Sequence, residues 1–342
     1  MNPISHRGRR LAVSALYDGA FKMLVDTTLA GSAADAFVFP GFPTTYAYDC
    51  VIDWGDGSLE RFAGTGNLTH TYAAAGQYVV SIHERIPGGF PGLYFNNGGD
   101  KLKVLKLLQF GSGRWATLDG AFYGCSNLVI DATDGHRALT KYVANMSRAF
   151  RGCAAMTKMP VIDTSGVTTM LGAFYGCTLL REFPKLNTSA VTIMTDLCLS
   201  CTSLKDFPLI DTSKVTSFAT AWNGCSGLLS FPFIDTALGQ SFAGAWTNCT
   251  GMNGYDFPTL DMHNITAGNT MLQGVNHSKA SYNSMLDQFA NGRGSIPAAA
   301  ATGISFRTGA HYDASTGGYD GTTARGYLTG TKTWTIVDGG TP

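Results

Sequence analysis

RGCAAMTKMPVIDTSGVTTMLGAF occupies Arg151–Phe174, and YGCTLLREFPKLNTSAVTIMTDLC follows it as Tyr175–Cys198. LSCTSLKDFPLIDTSKVTSFATAW (Leu199–Trp222) and NGCSGLLSFPFIDTALGQSFAGAW (Asn223–Trp246) come next, so one pattern recurs at a spacing of 24 residues. It reads approximately C-x-x-L-x-x-F-P-x-I-D-T-S-x-V-T-x-M-x-x-A-F-x-G. Its cysteines are Cys153, Cys177, Cys201, Cys225 and Cys249. Cys125 in AFYGCSNL stands one unit earlier after four inserted residues, and a unit with two extra residues puts Val275 where the next cysteine would fall. The apolar slots hold Met156, Leu180, Leu204 and Leu228, then Met159, Phe183, Phe207 and Phe231, then Ile162, Leu186, Ile210, Ile234 and Leu260. A unit this short cannot bury its own apolar face, so neighbouring units must stack and share one core. The period therefore predicts a solenoid of about six units. Each has a short strand over L-x-x-F-P-x-I, a turn at D-T-S and a helical or irregular return. Parallel strands would lie about 4.8 Å apart.

These motifs resemble the bacterial surface leucine-rich repeats called BspA-like, whose units carry F-x-G-C, then x-x-L, then D-T-S-x-V-T-x-M. The resemblance covers residues 118–275 and implies adhesion or recognition at a cell or virion surface, with no chemistry of its own.

A second resemblance lies upstream. CVIDWGDGSLERFAGTGNLTHTYAAAGQYVVSI (Cys50–Ile82) is similar to the latter part of a polycystic-kidney-disease (PKD) domain, whose signature is D-W-G-D-G-S, then H-x-Y, then G-x-Y-x-V. Val51, Ile52 and Trp54 read as a strand, Asp56-Gly57 as a hairpin turn, and Gly76–Ile82 as another strand. The fold class expected is mainly β: an Ig-like, PKD-type sandwich over residues 21–86, then the leucine-rich-repeat solenoid over 118–275. Residues 87–117, which begin in the Gly- and Pro-rich IPGGFPGLYFNNGGD, read as a linker and N-terminal cap. Residues 276–342 read as a small α/β cap. In it SYNSMLDQFANG is a helix with Ser281 as N-cap, and ARGYLTGTKTWTIVDGG alternates as a strand through Trp334 and Ile336. At the other end, Asp18 and Lys22 break the apolar patch of MNPISHRGRRLAVSALYDGAFKML, which is too short for a secretion signal. Residues 1–20 are expected to be an attachment segment.

With 24 basic and 24 acidic residues in 342, the chain offers no electrostatic footprint for nucleic acid or an anionic membrane. No apolar run has the length of a membrane span. Six of the eight cysteines share one slot and are expected to be buried free thiols. Cys198-Leu-Ser-Cys201 has C-x-x-C spacing, but Cys198 occupies the slot of Phe122, Phe150, Phe174, Trp222 and Trp246, which argues against redox or zinc work. Asp163, Asn187, Asp211, Asp235 and Asp261 form a column in which turn capping is favoured over paired-carboxylate catalysis. Asp53 and Asp56 are likewise read as turn formers, because their spacing is not that of a Ca²⁺ loop. The histidines show no metal spacing, so neither catalysis, cofactor nor metal is expected.

Function is then expected on the variable slots between the apolar ones. Lys158, Glu182, Asp206, Ser230 and Asp256 form one column, and Val161, Lys185, Leu209, Phe233 and Thr259 another. Lys158, Glu182, Lys185, Asp206, Leu209 and Phe233 are the candidate ligand-binding residues, a mixed apolar and charged stripe of the kind that recognition faces carry. The whole reads as a nonenzymatic virion surface protein, a tail or head fibre. Its partners would be a bacterial cell-surface glycan or protein and, through the N-terminal segment, other virion structural proteins; assembly as a homo-oligomer is compatible with this reading. A bacterial adhesin at the extracellular surface comes second and a surface-glycan hydrolase third.

Overall fold

The computed structural model describes residues 19–131, 140–159, 162–255, 260, 264–275, 305–307, 329 and 335–337. The chain is mainly β and divides into two compact units, residues 1–166 and 167–342. The expected helix over Ser281–Gly292 and nearly all of the expected attachment segment lie outside the described residues.

The first unit is built on strands β1 (Phe21–Asp26), β2 (Ala36–Phe39), β3 (Tyr48–Asp53), β4 (Leu59–Gly64), β5 (Leu68–Thr71), β6 (Gln77–Glu84), β7 (Val104–Gln109) and β8 (Val129–Ile130). Six of them form one sheet in the order β4-β3-β6-β1-β7-β8, and β2 and β5 form a second. β1 alternates buried and half-buried residues, with Phe21, Met23 and Val25 inward, as a strand packed on one face must. Phe39 of β2 packs its ring against Tyr48 of β3 and Phe62 of β4, with centroids 5.5 and 5.7 Å away, which joins the two sheets through one aromatic core.

Residues 87–117, expected to be a linker and N-terminal cap, are packed into this fold rather than free of it. β7 pairs antiparallel with β1, from Lys22↔Gln109 to Val25↔Val104, and Phe90, Leu93, Phe95 and Trp115 are buried. Phe21 touches the rings of Phe90, Phe110, Trp115 and Phe122, so the sheet core and the first repeat are continuous. β7 also pairs in parallel with β8, at Lys106↔Val129 and Leu107↔Ile130. A single strand thus converts the antiparallel sheet into the parallel stacking of the repeats.

Within the second unit, successive repeats pair in register. Parallel bridges link Thr169, Ile193, Ser217, Ser241 and Ala267 in one column and Glu182, Asp206 and Ser230 in another. The strand expected over L-x-x-F-P-x-I is reduced to one bridge per unit. Pro184, Pro208 and Pro232 follow the bridge column by two residues in every repeat, and a residue without an N–H cannot extend the ladder. The expected return segment carries most of the pairing. The N–H groups of Met194, Asp196, Cys198 and Ser200 donate to the carbonyls of Ser217, Ala219, Ala221 and Asn223, and the next unit repeats the set 24 residues on. Within the first unit the same kind of pairing spans the four inserted residues of the Cys125 repeat, and within the second it spans the two inserted after Cys249. Leu118 donates to Asn145 and Phe242 to Ala267, with the same alternation of donors on either side of each insertion.

The return segment reverses direction at two left-handed positions per unit. Gly172, Asp196, Thr220, Gly244 and Thr270 form one such column; Gly176, Ser200, Gly224, Asn248 and Gly274 form the other. Aromatic rings stack at the unit spacing, with Phe207 on Phe231 at 5.3 Å and Trp222 on Trp246 at 5.1 Å. Near the C-terminus, Thr335–Val337 (β10) pairs in parallel with Ser305–Arg307 (β9), consistent with the strand expected there.

Candidate functional site

The six candidate residues all lie on the surface. Lys158 is exposed in the first unit. In the second, Glu182 and Asp206 are adjacent bridge partners, and Ser230 continues their column by donating its hydroxyl to Asp206 Oδ1 at 3.1 Å. Lys185, Leu209 and Phe233 stand three residues beyond the bridges on successive units. Leu209 is 73% exposed and Phe233 59%. The intervening Phe183, Phe207 and Phe231 are buried and ring-packed, so the exposed column stands on a close-packed base. The column members Val161, Asp256 and Thr259 lie outside the described residues.

A third column escaped the sequence reading. Lys205 N–H donates to the carbonyl of Arg181 and Leu229 N–H to that of Lys205, and all three side chains are exposed, Leu229 by 55%. Leu209, Leu229 and Phe233 are thus large exposed apolar side chains on two successive units, in columns that also carry the exposed Arg181, Lys185, Lys205, Glu182 and Asp206. The signal that could have found it is the free variation of that slot between units, Arg181, Lys205 and Leu229, beside invariably apolar core slots.

The carboxylate columns are structural. Asp163, Asn187, Asp211 and Asp235 each accept, through Oδ1, the N–H two residues on, at 2.9 to 3.1 Å. The bonds from Ser165 hold the Asp163 carboxyl below the usual carboxylate range, and the Ser213 hydroxyl and N–H do the same at Asp211. The threonine that follows is buried and tied across units: Thr188 Oγ1 donates to the carbonyl of Asp211, and Thr212 Oγ1 to that of Asp235, each at 2.6 Å. This accounts for the threonine at the second letter of D-T-S in four successive units, Thr164, Thr188, Thr212 and Thr236, a role the sequence reading missed; the fifth unit has Met262 there.

The eight cysteines are buried and free. Four ladder thiols donate to a carbonyl of the preceding rung: Cys153 to Phe122 at 3.2 Å, Cys201 to Phe174 at 3.1 Å, Cys225 to Cys198 at 3.1 Å and Cys249 to Trp222 at 3.0 Å. Burial pushes the Cys198 and Cys225 thiols well above their usual range and Cys249 up to about 12. A thiol held neutral in an apolar stack is neither nucleophile nor ligand. In the first unit the D-W-G-D-G-S turn is closed by its own side chains. Asp53 Oδ1 accepts Gly55 N–H, and Asp56 Oδ1 accepts the N–H and hydroxyl of Ser58. His70 lies flat on Trp54, 4.7 Å between centroids, with Nε2 2.8 Å from Asp56 Oδ2. Partial burial opposes ionisation of Asp56, but the Ser58 and His70 bonds outweigh it and bring its pKa down to about 2. Among the described residues, no group of three His, Cys, Asp or Glu side chains is placed to hold a metal ion, and no helix is long and apolar enough to cross a membrane.

A family model described as Mycoplasma protein of unknown function, DUF285, matches residues 116–231, about a third of the chain, and this is a family of BspA-like surface repeats. No curated protein and no solved structure matches the chain.

Proposed function

We propose that this chain is a nonenzymatic recognition protein that adheres to a host cell surface as part of a virion tail or head fibre. In this reading residues 118–275 are a leucine-rich-repeat solenoid, the N-terminal sandwich is a PKD-like carrier, and the exposed columns of the repeats are the contact face. The observation that carries it is the exposure of Leu209, Leu229 and Phe233 among charges of both signs, above a ring-packed core. Large exposed apolar side chains rimmed by polar ones mark interaction sites, and a few such anchors dominate most interfaces.

Replacing Lys185, Leu209 and Phe233 together by Ser tests it. Exposed substitutions change stability by about 0.5 kcal/mol each, so the melting temperature should barely move. Adsorption to host cells should fall at least tenfold, the equivalent of about 1.4 kcal/mol or more of lost contact. Unchanged adsorption at unchanged stability would dismiss this face as the recognition surface. Mass spectrometry of purified particles, which should contain the chain, separates a virion fibre from a cellular adhesin.

A further inference from the structure

Two adjoining clefts in the first unit flank Tyr94, and no role described so far uses them. One, of about 330 Å³, is lined by Phe42, Thr45, Tyr46, Tyr94, Asp119 and Asn145. The other, of about 310 Å³, lies between Val38, Pro40, Asn67 and the segment Tyr94–Gly99. Pro43 and Tyr94 line both, so a chain molecule could occupy the two in succession. Each has the volume of a small-ligand site.

We propose that these clefts bind an uncharged oligosaccharide. Tyr46 and Tyr94 are half-buried rings that each pack on the buried Phe42 with centroids 4.9 Å apart, and the C–H faces of a sugar ring pack on exposed ring surface of this kind. Polar groups for its hydroxyls come from a separate part of the chain and are already oriented. Asn145 Oδ1 accepts Ser147 N–H at 2.8 Å, and Asp119 Oδ1 is held by Arg148 at 3.2 Å. The aromatic surface is preorganised as well. The buried Tyr48 hydroxyl accepts Phe42 N–H at 3.1 Å and donates to the Gly92 carbonyl at 2.9 Å, which ties together the two segments that carry Phe42 and Tyr94. Tyr94 N–H donates to the Pro40 carbonyl and Asn96 N–H to that of Gly120. Little ordering remains to be done on binding. Neither lining contains Lys or Arg, and its one carboxylate is paired, so a phosphate or uronate would find no counter-charge. A proline-rich peptide could use the rings but would leave Asp119 and Asn145 idle.

The proposal does not rest on the face of Lys185, Leu209 and Phe233. The full chain is screened by saturation-transfer NMR against neutral chito-, malto-, manno- and galacto-oligosaccharides, with an acidic oligosaccharide and a proline-rich peptide as competitors. At least one neutral series should bind, with transfer concentrated on ring C–H protons. Tyr94→Ala and Tyr46→Ala should each weaken it about tenfold, Tyr94→Phe should retain it, and the triple Ser variant of the repeat face should bind as the native chain does. Should Tyr94→Ala fail to fold, Tyr46→Ala and Asn145→Ala carry the same expectation. Absence of binding by every neutral series would overturn the proposal. So would binding that survives folded Tyr94→Ala or Tyr46→Ala, or preferential binding of the acidic sugar or the peptide.

Discussion

The Cys225 thiol donates to the Cys198 carbonyl inside an apolar stack, and that one contact explains why a small residue with a weak donor recurs in this slot. The same burial makes the ladder base-labile. A thiol whose folded pKa is raised above its ordinary value of 9.0 keeps its proton in the folded chain while the unfolded chain loses it, so stability is full below pH 9 and falls as pH rises from 9 toward 12. Urea midpoints measured across that window should drop steadily, and native thiols should resist iodoacetamide at neutral pH while all eight react in denaturant. Rapid alkylation of folded protein would show the stack to be open. The repeated cysteine was legible from its spacing alone, whereas the left-handed residue before it was not, because Ser200 and Asn248 hide the requirement that Gly176, Gly224 and Gly274 display. Ser200 holds φ of 62°, a conformation that costs an L-residue about 1–2 kcal/mol. Ser200→Gly should therefore raise stability by about 1 kcal/mol, less the extra entropy glycine gives the unfolded chain, and Gly224→Ala should lower it by a similar amount. Thermal denaturation of both variants decides whether the strain is real.

At the scale of elements, the segment from β1 to β2 is held by a pair that no sequence pattern announced. Lys103 is fully buried, and its Nζ donates to the carbonyls of Ser32, Ala33 and Ala36, the last two at 2.8 Å. Asp100, 3.8 Å from that ammonium, accepts the N–H groups of Ser32 and Val38. Every charge and donor in the cluster is answered, which is the condition under which such a pair is tolerated in a core. Lys103→Met leaves the Asp100 carboxylate without its cation and should cost about 3–5 kcal/mol, while Asp100→Asn in the same chain should restore part of it. Chemical denaturation that finds the single variant within 1 kcal/mol of the native chain, against that expected loss, would mean that water enters the cluster. The same segment shows where reading the sequence went astray. Glycines and prolines over Pro87–Gly99 suggested a linker, yet Gly92 is needed for close approach: a Cβ there would sit 2.9 Å from the Thr117 carbonyl. Hairpins such as β3–β4 were legible because their turn residues are local. The β1–β7 pairing joins residues some 80 positions apart and leaves no local signature.

For the whole molecule, the in-register pairing of units was written in the period, and the exposed columns could be named in advance because each unit presents the same slots. What the period could not convey was which hydrogen bonds hold the stack, since proline removes the expected strand and the return segment takes over the pairing. The clefts beside Tyr94 were equally hidden, because they form where the β2–β3 connection meets turns drawn from two later repeats. The uniform register of the ladder has a hereditary consequence. Unequal recombination between two repeats joins equivalent slots, so it removes or adds one whole rung without disturbing those on either side. A gene deleted for Leu199–Trp222 joins Cys198 to Asn223 and keeps every thiol, threonine and left-handed turn in its column. That chain should fold and melt cooperatively, whereas a deletion of only Leu199–Ile210, half a rung, should give an insoluble product, as circular dichroism and solubility on expression would reveal. A surface of this kind can change its length and its displayed residues in a single genetic event, which under the proposed reading would let it follow a changing receptor.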